Sequence, residues 1–340
     1  MEAVLEHIPV AEALAGIGRF TAVVSPSAWD GIAVSLPRPV QVLSVDSLEE
    51  IALDRLVAAN DVAGDTIVGV GGGRALDAAK YVALRQAKPL VLIPTALSTL
   101  APFTTEAARR VRRQLLWAGE VEGRVIVDLD VLARAPLALN RAGAAWVTAT
   151  ATATWDWRFA DAHDLGMPFS DAQADLGALC RQRLRDAAPE VRAASRDGLA
   201  ELVELLSALG RATVRSGHRR LVEGSEQYFL QAYEHRLGRP ADVGGFLGLC
   251  TVAMASLQQV FGAGPLAAVD EPVGLLAACG VASNPNQLGL DEGTFRGLLR
   301  HTVRFAVGEA LPYSVLNEAD VNTSTSEEMW RQVWRVPPVR

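Results

Sequence analysis

The sequence predicts an α/β domain built on a parallel sheet, followed by an all-helical domain. Over the first third of the chain, short β-branched runs alternate with helical stretches, the pattern of a sheet covered on both faces. After Ala135-Pro136 such runs become scarce and long apolar-periodic segments dominate. The 340 residues also exceed the size at which one hydrophobic core usually keeps growing. Residues 1–137 are therefore assigned to the α/β domain and 138–340 to the helical one.

In chain order, Phe20 to Val24, Val40 to Ser44, Thr66 to Val70, Pro89 to Pro94 and Arg124 to Asp128 read as strands. Leu48 to Asn60 and Arg74 to Gln86 have helical apolar spacing, and the second opens directly after a glycine run. In the second domain, Leu199, Leu202, Val203, Leu206 and Leu209 share one face of a helix between Gly198 and Ser216. Thr148 to Thr154 alternates Thr with Ala, a strand period carried by two residues that differ little in burial gain. Its flanks favour a helix, in which each hydroxyl can bond the carbonyl one turn back. Val243 to Val269 contains no charged residue but holds Gln258, Gln259, Gly262, Gly264 and Pro265, which suits a buried helix better than a membrane span.

Half of the residues are hydrophobic and 21% are charged, the balance of a globular protein. A net charge of −7 disfavours nucleic acid and anionic membranes as partners. Cys180, Cys250 and Cys279 are far apart and lack a zinc or redox spacing, so reduced, partly buried thiols are expected. Met1 to His7 carries acids where a secretory signal needs basic residues, and a cytoplasmic location is expected. The expected partner is a small molecule; a homodimer is left open.

The most informative segment is Gly69-Val70-Gly71-Gly72-Gly73-Arg74-Ala75-Leu76-Asp77-Ala78-Ala79-Lys80, lying between a strand and a helix. Glycines let the backbone approach a bulky anion, and a helix N-terminus offers it free amides and a favourable dipole. A dinucleotide pyrophosphate is the natural ligand. Arg74 stands where the usual fingerprint has a third spaced glycine or alanine, and the alternative is a tight turn without a ligand.

Further motifs follow: Ile93-Pro94-Thr95-Ala96-Leu97-Ser98, Val127-Asp128, Ala135-Pro136, Arg141-Ala142-Gly143, Asp156-Trp157, Gly224-Ser225-Glu226, Leu288 to Asp291 and Pro312 to Leu316. In this order the chain resembles the superfamily of glycerol-1-phosphate dehydrogenases, glycerol dehydrogenases, iron-containing alcohol dehydrogenases and dehydroquinate synthases. The late motifs favour the glycerol-1-phosphate dehydrogenase branch. The resemblance implies a Rossmann-like α/β domain plus an all-α domain, the dehydroquinate synthase-like architecture. It also implies NAD or NADP as cofactor, with Gly71, Gly72 and Gly73 at the pyrophosphate, Asp77 supporting the loop, and Thr95 and Ser98 lining the site. Asp46, near the end of the second predicted strand, either bonds an adenosine-ribose hydroxyl, favouring NAD, or caps the helix that follows.

Members of that superfamily hold a divalent ion with one carboxylate and two histidines, so that developing alkoxide charge is stabilised. The matching positions here are Trp146, Gln227 and Arg239, and Leu100 replaces a substrate-side aspartate. Indole offers no basic lone pair, an amide oxygen is a weak ligand, and guanidinium repels cations, so no metal is expected. A relocated site would draw on Asp156, His163, Glu226 or His235, but no two of the five histidines sit at helical ligand spacing. Two functions follow. One is a metal-independent NAD(P) enzyme acting on a small polar or anionic metabolite, by hydride transfer or transient redox, with Arg239, Gln227 and Trp146 as its catalytic candidates. The other is a catalytically silent relative that binds a nucleotide or metabolite as a sensor or partner. Arg219 and Arg220 suit a solvated basic face at least as well as a ligand site.

Overall fold

The computed structural model describes residues 4–32, 37–58, 62–238, 241–261 and 269–339. It divides into two compact units, Met1–Asn140 and Arg141–Arg340.

The first unit is Rossmann-like. Its sheet contains β1 (Val4–Glu6), β2 (Phe20–Val24), β3 (Gln41–Ser44), β4 (Thr66–Gly71), β5 (Leu90–Pro94) and β8 (Arg124–Ile126) in the order β1-β8-β5-β4-β2-β3. Every pairing is parallel, including Val68↔Val91 between β4 and β5 and Ala22↔Val68 between β2 and β4. The central strands are buried throughout, which is why they read as unbroken apolar runs. On one face Val10 and Leu14 of α1 (Val10–Ala15) and Ile32 of α2 (Pro26–Ile32) pack against Phe20, Val24, Val70 and Ile93. On β4 itself, a Cβ on Gly69 would lie 2.6 Å from the Ala79 Cβ, so the missing side chain lets α4 (Gly73–Gln86) sit close on the sheet. α3 (Glu50–Ala58) is shorter than the predicted 48–60 segment, and residues 59–61 lie outside the described residues.

A two-stranded antiparallel sheet, β6 (Glu106–Val111) and β7 (Gln114–Glu120), was not foreseen from the sequence. It packs against α4 and β6 bridges to Glu49. Its turn has Arg112 and Arg113 at φ 51° and 71°, a geometry that normally selects Asn-Gly, so the usual hairpin signal is missing.

The second unit is all-helical. α5 (Leu129–Leu132) closes the first unit, and α6 (Leu137–Asp161) is followed by α7 (Asp171–Asp186), α8 (Ala188–Ala193), α9 (Arg196–Ser216), α10 (Ser225–Leu237), α11 (Val243–Val260), α12 (Asp270–Cys279), α13 (Glu292–Gly308) and α14 (Thr323–Val333). α9 begins on a Ser195 cap, buries the predicted Leu199, Leu202, Val203, Leu206 and Leu209, and ends at Gly217 in the left-handed region. α11 is apolar and long enough to cross a membrane by composition, yet it is 83% buried, packed on α10, α12 and α14. The Thr-Ala segment is helical, inside α6. Thr148, Thr150 and Thr152 donate to the carbonyls of Ala144, Val147 and Ala149, whereas the buried Thr154 hydroxyl has no partner among the described residues. Cys180, Cys250 and Cys279 are unpaired and buried.

Candidate functional sites

In the first unit the glycine loop joins β4 to α4. Gly71 has φ 146°, a region open to glycine, and its carbonyl accepts the Thr95 N–H at 3.0 Å, tying the loop to the end of β5. Gly72 is the extended N-cap and Gly73 the first helical residue, so the loop ends in free amides at the positive end of α4. At Gly71 and Gly73 there is no room for a side chain. A Cβ on Gly71 would lie 2.8 Å from Ser25 Oγ, and one on Gly73 would lie 2.6 Å from Thr99 Oγ1. The place of a Gly72 Cβ is 3.5 Å from Ser98 Oγ. The structure thus brings Gly71, Gly72, Gly73, Thr95 and Ser98 together. It adds Ser25 and Thr99, isolated small polar residues with no motif of their own to single them out.

Asp77 lies one turn into α4, with its carboxylate 3.5 Å from Lys80 Nζ. Lys80 is fully buried and donates to Thr104 Oγ1 and to the Glu106 carbonyl, so the Asp77–Lys80 pair fastens α4 to the start of β6. Asp46 is exposed just beyond β3. The hydroxyl that accepts the Glu49 N–H is that of Ser47, so the capping alternative offered for Asp46 belongs to its neighbour. Leu100 is buried, as an uncharged replacement should be.

In the second unit Trp146 on α6 and Gln227 on α10 are both buried. Gln227 Nε2 has no hydrogen-bond partner among the described residues. Arg239 lies outside the described residues. Arg220 departs from a solvated basic face. It is buried, and its guanidinium donates to the carbonyls of Asp156 and Tyr313 and to the Tyr228 hydroxyl. Three acceptors arranged around one planar fork make burial of that charge tolerable. Arg219 pairs with Glu223 at 2.6 Å and is largely covered.

Asp156 explains why several separated motifs occur in one chain. Its carboxylate accepts the Ser225 N–H at 2.7 Å and the Val315 N–H at 2.9 Å, gathering Asp156-Trp157, Gly224 to Glu226 and Pro312 to Leu316 at one buried point. Glu226 is equally buried and accepts the Gly224 N–H, while its other oxygen lies 2.8 Å from Thr152 Oγ1. Burial and the neighbouring Asp156 carboxylate push Glu226 up to about 8. Burial also raises Asp156, opposed by its amide donors and the nearby Arg220. The Thr152 hydroxyl lies within hydrogen-bond distance of both Glu226, at 2.8 Å, and the Ala149 carbonyl, at 3.0 Å; its single proton serves one of them, and a proton held on the Glu226 carboxyl group lets both contacts be made.

The residues present do not fit a divalent ion. Trp146 has no ligating lone pair, and Gln227 offers a neutral amide. Asp156 and Glu226 are committed to internal hydrogen bonds. His163 is exposed and bonded to the Phe159 carbonyl, while His235 stacks on His301. Among the described residues no three His, Cys, Asp or Glu side chains gather as metal ligands would. The glycine loop, in contrast, fits a pyrophosphate, because it presents free amides at the start of α4 and a Cβ at Gly71 or Gly73 would crowd its neighbours.

Residues 27–136 match the family described as iron-containing alcohol dehydrogenase. Over 308 residues the chain is 27% identical to the glycerol-1-phosphate dehydrogenase [NAD(P)+] of Aeropyrum pernix, covering 89% of this chain and 82% of that one. The enzyme of the same name from Sulfurisphaera tokodaii is 28% identical over 298 residues, covering 86% and 80%. Among solved structures, a probable glycerol dehydrogenase from Sinorhizobium meliloti superposes with a TM-score of 0.70 at 17% identity, covering 98% of this chain and 95% of that one. These sequence similarities support the superfamily of iron-containing alcohol dehydrogenases and glycerol-1-phosphate dehydrogenases, and the solved structure shares the fold.

Proposed function

We propose that the chain is an NAD(P)-dependent oxidoreductase of a small polar metabolite that works without a resident divalent ion. The observation that carries this is the amide cradle of Gly71 to Gly73 at the N-terminus of α4, closed to larger side chains at Gly71 and Gly73. Its relatives are named for NAD(P)+, and such a cofactor, when bound, accepts or supplies a hydride. Gly71, Gly72 and Gly73 would hold the pyrophosphate, with Thr95, Ser98 and Asp77 shaping the loop and Asp46 available to a ribose hydroxyl. Gln227 Nε2 is a buried donor suited to a substrate oxygen, Trp146 takes the volume of a carboxylate ligand, and Arg239 would supply positive charge. Three buried, unpaired cysteines support a cytoplasmic setting.

Calorimetry with NAD+, NADH, NADP+ and NADPH tests the cofactor, and no binding heat from any of them at millimolar concentration overturns the assignment. Metal content is tested separately. After dialysis against a chelator the protein should hold no stoichiometric zinc, iron or nickel, and one retained ion per chain would refute metal independence. A silent, ligand-sensing relative is the second reading, favoured by the loss of ligand chemistry at Trp146 and Gln227. It predicts dinucleotide binding without absorbance change at the nicotinamide band when glycerol-1-phosphate, glycerol or a cell extract is added.

A further inference from the structure

We infer that Asn140 is a positioning residue for the cofactor, holding residues 95–98 in place beside the glycine loop; the inference rests on the dinucleotide reading of that loop. Asn140 lies near the start of α6, in the part of the helix that belongs to the first unit. Its side chain is 1% exposed and is engaged at both ends. Oδ1 accepts the Leu97 N–H at 3.0 Å, and Nδ2 donates to the Leu132 carbonyl at 2.8 Å. One end of the carboxamide grips the loop after β5, and the other grips the last residue of α5.

Residues 95–98 form neither helix nor strand, so a buried backbone N–H among them needs a partner from outside regular structure. Leu97 is fully buried, and its partner comes from 43 residues further along the chain. On one side of Leu97 the Thr95 N–H donates to the Gly71 carbonyl. On the other, Ser98 Oγ lies 3.5 Å from the place of a Gly72 Cβ. Leu97 thus stands between the two residues that would line the cofactor, and a shift of its peptide plane moves both. Helix preference points the same way. Asparagine is a poorer helix former than leucine or alanine, because its carboxamide competes for nearby backbone groups. At Asn140 that carboxamide is spent instead on partners 43 and 8 residues away, so a residue unfavourable to the helix serves the loop.

Two variants of the full chain test the role. Asn140→Asp keeps an oxygen for the Leu97 N–H, whereas Asn140→Leu has nearly the same shape and leaves that N–H without a partner. Calorimetry with NAD+, NADH, NADP+ and NADPH should show affinity at least about tenfold lower in Asn140→Leu, the cost of one unsatisfied buried donor, and within about threefold of the wild type in Asn140→Asp. Hydrogen exchange without cofactor should show the Leu97 amide protected in the wild type and in Asn140→Asp, and at least about tenfold faster in Asn140→Leu, with β4 unchanged in all three. Should Asn140→Leu fail to fold, Asn140→Ala removes the same bonds with a smaller, helix-favouring side chain and takes its place. A wild type that binds a dinucleotide beside a deletion variant that binds it equally would overturn this inference alone. So would a Leu97 amide that exchanges freely in the wild type. A wild type that binds none of the four would overturn the cofactor reading, and the positioning role with it.

Discussion

Raising the pH should weaken the second unit by removing the proton that Glu226 holds, and replacing Glu226 with glutamine should abolish that weakening. The folded protein keeps this carboxyl protonated up to about 8, whereas in the unfolded chain it ionises near 4.5. Between those values the native state binds one more proton than the unfolded state, so stability is full below the unfolded value and falls as pH rises. The slope is about 1.4 kcal/mol per pH unit and flattens above the folded value. From about pH 6 to about pH 8 the loss is on the order of 2–3 kcal/mol, a large share of a typical domain's stability. Glu226→Gln keeps the shape, an oxygen for the Gly224 N–H and an N–H for Thr152, but carries no titratable proton. Urea unfolding followed by tryptophan fluorescence across this range reads the effect directly. The midpoint of the wild type should fall with pH relative to that of Glu226→Gln, with the two proteins close at about pH 5. Parallel pH profiles would refute the protonated carboxyl. So would a Glu226→Gln protein as unstable at low pH as Glu226→Ala.

Three further outcomes follow from named contacts. Gly73→Val drives a side chain into Thr99, and calorimetry should show dinucleotide affinity falling by at least about tenfold while the helical circular dichroism persists. Arg220→Met leaves the Asp156 and Tyr313 carbonyls and the Tyr228 hydroxyl without their donor and should cost about 1–3 kcal/mol in chemical denaturation, without altering dinucleotide affinity. Arg219→Met should cost about 1 kcal/mol or less, because its partner Glu223 sits four residues on in the connection between α9 and α10 and the pair keeps some contact with solvent.

The alternating α/β pattern was legible because buried parallel strands such as β4 and β5 are continuous apolar runs, and the helical unit because α9 confines its leucines to one face. The β6–β7 hairpin was not, since its turn is Arg-Arg and its strands carry Arg109 and Arg110 where alternation would show apolar residues. Tertiary contacts, with α4 and Glu49, define it instead. Gly71 to Gly73 could be found because the loop's chemistry is concentrated in consecutive residues. Ser25 and Thr99 are isolated small residues, and only the distance to a missing Cβ singles them out. Arg220 looked like a surface cation beside Arg219 because nothing local records the acceptors that bury it, which come from Asp156, Tyr313 and Tyr228.

The first strand of the sheet lies beside the last. Val4, Leu5 and Glu6 pair with Arg124, Val125 and Ile126, Arg124 clasps Glu6 through both carboxylate oxygens, and Asp128 receives the Val10 N–H. These contacts join positions 118 to 120 residues apart, so the edge of the sheet cannot close until nearly the whole unit has been synthesised. During translation Val4 to Glu6 would wait without a ladder while β2, β4 and β5 assemble, because closing so long a loop gains nothing until its far end exists. A chain released before Arg124 would therefore expose both the β5 edge and the unpaired first strand, a combination that chaperones and proteases recognise.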